Sequence, residues 1–158
     1  MREILFRGKR KDNGEWVEGV FFPPANTIIT FCNSGSKEAP NFDDYEVIQE
    51  TVGQYTGFSD NNGKKIFEGD IVRYCDENGY YVEEDTVFIW KVVLECGAFG
   101  IGCDSELPLD FAYWCDNDNF VSLWEIYWNM NCCGGGKLPM LEVIGNVYDN
   151  PEMLEVKP

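Results

Sequence analysis

The sequence predicts a mainly β fold of short strands joined by tight turns, with one short helix. Three observations carry that reading. Aromatic residues make up 15% of the chain and glycine occurs 16 times in 158 residues, a balance that suits short strands and reversals. Asn-Gly pairs, the favoured chemistry of tight hairpin turns, recur at Asn13-Gly14, Asn62-Gly63 and Asn78-Gly79. Between the turns lie runs rich in β-branched and aromatic residues. At 18.1 kDa the chain fits one domain, or one domain with an arm, and is long enough to bury a core.

In chain order, residues 2–8 form a first strand candidate, Lys11 to Gly14 a turn, and Trp16 to Phe22 the returning strand of a hairpin. Pro23-Pro24 ends it, because neither residue can donate to a ladder. Thr27 to Phe31 reads as another strand. Residues 33–44 mix Ser, Gly, Pro and Asp with little apolar content and read as a mobile loop. Tyr45 to Ile48 resumes an extended path into Thr51-Val52-Gly53.

Gln54 to Val72 holds two turn signals. Asp60-Asn61-Asn62-Gly63 and Gly69-Asp70 separate the apolar groups Tyr55 to Phe58, Ile66-Phe67 and Ile71-Val72. Strand, turn, strand, turn, strand is the expected path. A calcium loop would need glycine at the sixth position from Asp60, where Lys65 stands, so the cluster reads as a turn.

Cys75 to Gly79 is a further turn, and Glu83-Glu84-Asp85 a solvated bend. Thr86 to Leu94 is the longest β-branched run and, apolar on both alternating faces, is expected to cross the core. Gly97, Gly100 and Gly102 miss the dinucleotide spacing and read as turns or bulges. Residues 104–136 turn to Asp, Asn and aromatics with no cation. Within them Phe120, Leu123, Trp124, Tyr127 and Trp128 fall near helical spacing, with Asp118 or Asn119 as the expected cap. Gly134-Gly135-Gly136 lacks the Lys-Ser/Thr ending of a phosphate loop and reads as a flexible return. Leu141 to Tyr148 is a final strand with a bulge at Gly145, followed by a turn at Asn150-Pro151.

Histidine is absent, which removes Ser-His-Asp and Cys-His nucleophilic sites, His-ligated metals and imidazole proton shuttles. An enzyme built on this chain would rely on carboxylates, Lys or Cys, and Glu68, Asp70 and Cys75 are its candidates. Seven cysteines, odd in number and with no C-x-x-C, fit reduced thiols better than a disulfide framework or a zinc site. Twelve Lys plus Arg against 28 Asp plus Glu leave a net charge of −16, which repels phosphate backbones and anionic lipid. Direct nucleic-acid binding is disfavoured. Five cations sit in the first eleven residues, so a local anion contact is retained as an option there. No signal-peptide core or membrane-length apolar run is seen, and a cytoplasmic location is expected.

Three segments, MREILFRGKRKDNGEWVEG, VGQYTGFSDNNGKKIFEGDIV and LEVIGNVYDNP with the Glu152-Met153-Leu154 that follows, together resemble the YopX family of phage and prophage proteins. They cover about a third of the chain in the family's order, and residues 104–136 have no counterpart among them. The resemblance implies a mostly β fold whose main body is similar to an SH3-type barrel, here over residues 51–158 with an insertion at 104–136. Residues 1–50 would form an N-terminal β arm with its loop at 33–44. It also implies a phage or prophage origin and action inside the bacterial host. It implies no activity, catalytic residue, metal or cofactor.

The expectation is therefore a non-enzymatic binding protein whose partner is a host or phage protein, with no membrane contact and with homo-oligomers left open. Its expected surface is the aromatic set Phe111, Tyr113, Trp114, Trp124 and Trp128. Two other classes stay in view: an acidic nucleic-acid mimic that blocks a host DNA-binding or defence protein, and a carboxylate- or Cys-dependent enzyme.

Overall fold

The computed structural model describes residues 3–32, 41–75, 88–95, 97–102, 120–129 and 135–155. The chain divides into two compact units, Met1–Tyr55 and Thr56–Pro158. Its described strands fall in two antiparallel sheets, and no closed barrel forms among the described residues.

In the first unit the strands β1 (Phe6–Lys9), β2 (Trp16–Phe22), β3 (Thr27–Cys32) and β4 (Asn41–Glu46) lie in the order β4-β3-β2-β1, and β1 also pairs with the start of β5 (Gly53–Ser59). The β1–β2 hairpin sets Phe6 opposite Gly19 and Lys9 opposite Trp16. Its turn uses Gly14 at φ 74, which a side chain would strain. Gly19 is required for a different reason: a Cβ there would meet the Ile29 carbonyl oxygen at 2.2 Å. Pro23–Ala25 closes β2 with a 3-10 turn, and Asn26 follows at φ 48.

Residues 33–44 do not all behave as the expected loop. Asn41 to Asp44 belong to β4, with Asp43 opposite Thr30 and Asp44 opposite Ile29. Strand pairing uses the backbone, and Asp43 and Asp44 stay exposed at the end of the sheet order, so their polarity costs little there. Residues 33–40 lie outside the described residues.

In the second unit the rest of β5 pairs with β6 (Lys65–Phe67), and β10-β9-β8-β7-β11 makes a five-stranded sheet. Its strands are β7 (Asp70–Tyr74), β8 (Ile89–Glu95), β9 (Ala98–Gly102), β10 (Phe120–Ser122) and β11 (Leu141–Asn146), and the helix α1 (Leu123–Asn129) follows β10 directly. Ile66, Val72, Trp90, Val92, Ile101, Val121, Leu123, Ile126, Leu138 and Leu141 fill the core. Burying side chains of this size contributes about 1.5–3 kcal/mol each.

The strand expected to be apolar on both faces is covered on one. Trp90 and Val92 are buried on one face and Lys91 is exposed on the other, while Leu94, on the face of Trp90 and Val92, emerges near the end of the strand and is 45% exposed. Gly97 takes φ 81 in the β8–β9 turn, as a turn glycine should. Gly100 leaves room for a ring, since a Cβ would come within 2.4 Å of the Phe120 side chain. The triple-glycine return is also more ordered than expected over the two glycines described. Gly136 O accepts from Ser59 N at 2.8 Å, Leu138 N donates to Ser59 O at 2.7 Å, and a Cβ on Gly136 would press the Gly57 carbonyl oxygen at 2.8 Å. The bulge expected at Gly145 is present as a register shift between Val143 and Gly145 on β11.

Candidate partner-binding surface

A capping box starts α1. Ser122 Oγ accepts from Glu125 N at 3.1 Å and donates to Glu125 Oε2 at 3.0 Å, and Ser122 N reaches the same carboxylate at 3.3 Å. Ser-x-x-Glu was legible in the sequence, yet the expected caps were Asp118 and Asn119, which lie outside the described residues. Phe120, expected on the helix, instead pairs with Gly102 in β10.

The helix buries Leu123 and Ile126 and turns Trp124 and Trp128 outward, 59% and 70% exposed. Residues four apart share a face, so the two indoles stack, with centroids 6.3 Å apart and planes 25° from parallel. Trp124 also meets a second pair of rings. Phe58 sits 5.6 Å from Tyr127 and 6.4 Å from Trp124, and Tyr127 lies 5.7 Å from Trp124. Phe58 and Tyr127 are half-buried and pack on the core. Phe58 and Tyr127 support Trp124, and Trp128 stacks on Trp124 with most of its surface in solvent.

Of the expected site residues, Trp124 and Trp128 come together, whereas Phe111, Tyr113 and Trp114 lie outside the described residues. Tyr127 was legible as part of the helix pattern. Phe58 was not assigned to the site, because nothing local links it to a helix more than sixty residues later.

The polar residues of Gln54 to Val72 are placed differently. Asp60 is 1% exposed; its Oδ1 accepts from Asn62 N at 2.9 Å and Lys64 N at 2.8 Å, and its Oδ2 accepts from Val143 N at 3.0 Å. It ties the turn to β11. Asp70, also 1% exposed, accepts from Phe67 N at 2.8 Å and from Asn146 Nδ2 at 3.3 Å. Cys75 is fully buried, with Asn61 Nδ2 3.7 Å from its sulfur. Of the three candidates for acid, base or nucleophile, Asp70 and Cys75 are walled into the frame of the unit, away from solvent, whereas Glu68 is half-buried.

The described cations of the N-terminus, Arg7, Lys9, Arg10 and Lys11, are engaged within the first unit. Arg7 and Lys9 lie 4.6 Å and 5.5 Å from the Trp16 ring centroid, and Arg10 lies 4.3 Å from that of Tyr45. Arg10 also pairs with Asp12, and Lys11 with Glu46. The hydrogen bond between Arg10 and Asp12 raises the guanidinium pKa and lowers that of the carboxyl.

A family model described as YopX protein matches residues 5–155. The chain belongs to the YopX family. The match extends well beyond the three segments that carry the resemblance, and its span encloses residues 104–136. Among solved structures, this YopX chain is similar to that of protein EF1440 from Enterococcus faecalis, at 20% identity and a TM-score of 0.50, over 98% of this chain and 99% of that one. At that identity the likeness concerns the fold. No curated protein matches. Among the described residues, no helix is long and apolar enough to cross a membrane.

Proposed function

We propose that this YopX chain is a non-enzymatic accessory factor of a phage or prophage, acting in the bacterial cytoplasm by gripping a host or phage protein through the outer face of α1. The observation that carries this reading is the Trp124–Trp128 stack, exposed on a helix whose other face is anchored in the core. Exposed large aromatics on a rigid support are the composition of interface hot spots. Asp70 speaks for the non-enzymatic part, because its oxygens hold backbone and side-chain donors inside the fold. A finer architectural reading goes with it: the meander β7-β8-β9, with β11 returning to the other side of β7, supports a variant of an SH3-type barrel in the second unit.

The net charge of −16 favours a second reading, an acidic nucleic-acid mimic directed at a basic host DNA-binding or defence protein. Tagged wild-type chain and Trp124→Ala/Trp128→Ala chain, each used to capture proteins from host lysate, separate the two. A partner lost with the tryptophans supports the aromatic surface. A partner kept by the double variant but released by salt supports the mimic, and no partner in either arm sinks both.

A further inference from the structure

We infer that the Trp124–Trp128 face takes an arginine- or lysine-bearing segment of a basic protein, with the cation seated over the exposed indoles. The inference rests on the reading of α1 as a partner surface and names the chemistry of that partner.

The two units differ in how their aromatic faces are used. In the first unit the aromatic faces already hold cations, Arg7 and Lys9 over Trp16 and Arg10 over Tyr45. In the second unit, no cation among the described residues sits over Trp124 or Trp128; their ring partners are Phe58, Tyr127 and each other. Along the sequence, no Lys or Arg occurs between Lys91 and Lys137. Carboxylates do occur in that stretch, among them Asp116, Asp118 and Glu125 within eight residues of Trp124. Indole is the best π face for a cation, and the negative field of the whole chain steers cations toward it.

A neutral apolar partner would use the rings but not the field. A second copy of this chain brings the same negative charge, and the described cations at its N-terminus, Arg7, Lys9, Arg10 and Lys11, are engaged with Trp16, Tyr45, Asp12 and Glu46. A basic segment satisfies both rings and field.

The test titrates the full-length chain with a nona-arginine peptide, followed by calorimetry, at about 0.05 M and about 0.5 M salt, where screening lengths differ several-fold. The wild-type chain is expected to bind and to weaken with salt. Trp124→Ala/Trp128→Ala keeps the net charge and should bind about tenfold more weakly at low salt, with Phe at both positions recovering part of the loss. Equal binding by wild type and double variant would reduce the effect to bulk charge and overturn the inference. So would the absence of binding, or a Trp-dependent self-association that occupies the face. A host protein captured through the tryptophans but not displaced by nona-arginine would overturn this inference while leaving the partner surface intact. Failure to capture any Trp-dependent protein would instead remove the surface on which the inference stands.

Discussion

Two stretches of the chain invert the usual placement of polar and apolar side chains. In Gln54 to Val72 the carboxylates Asp60 and Asp70 are 1% exposed, whereas on α1 the two largest apolar side chains, Trp124 and Trp128, are 59% and 70% exposed. A buried carboxylate persists where donors surround it, and both aspartates have them. An exposed indole has no such local justification. The contrast teaches that Asp60 and Asp70 are framework, and the proposed function assigns the apolar display on α1 to a partner.

Substitutions that remove the framework carboxylates should break that contrast most strongly. Asp60→Ala leaves three backbone donors short of an acceptor, Val143 N among the buried ones, and is expected to lower unfolding free energy by about 3 kcal/mol in denaturant titration. A loss below about 0.5 kcal/mol would mean that the turn is not held through this carboxylate. Asp70→Ala removes the acceptor for Phe67 N and for Asn146 Nδ2, and should cost about 2 kcal/mol by the same measurement.

Gly100→Ala tests the packing that brings β10, and hence the helix, against β9. Its Cβ would fall 2.4 Å from the Phe120 ring, so thermal and denaturant unfolding should report a loss of about 2 kcal/mol. Ser122→Ala acts on the helix itself. Loss of the capping box should cost about 1 kcal/mol and speed amide exchange across Leu123–Asn129. Smallest of all is the stability effect of Trp128→Ala, expected within about 0.5 kcal/mol because the ring is mostly in solvent. A loss of several kcal/mol would place Trp128 in the core and erase the contrast.

Much of the frame was legible residue by residue. The Trp16–Phe22 strand, the Asn13-Gly14 and Asp60 to Gly63 turns and the Gly145 bulge follow from turn chemistry and β-branched runs, which are local signals. What the sequence hid depends on partners far along the chain. Asn41 to Asp44 read as loop, and only pairing with β3 makes them a strand. The exposure of Leu94, on the same face as the buried Trp90 and Val92, depends on how far along β8 the core reaches. Gly136 reads as a spacer until Gly57 and Ser59 are placed beside it. For the candidate surface, helical spacing found Trp124, Tyr127 and Trp128 together, while the support from Phe58 is tertiary and left no local trace.

The measurement that bears most directly on the partner surface compares the proteins captured from host lysate by the wild-type chain and by Trp124→Ala/Trp128→Ala, each first shown to unfold at the same denaturant midpoint. The account predicts at least one host or phage protein held by the wild type and lost by the double variant. An identical set of captured proteins would contradict it.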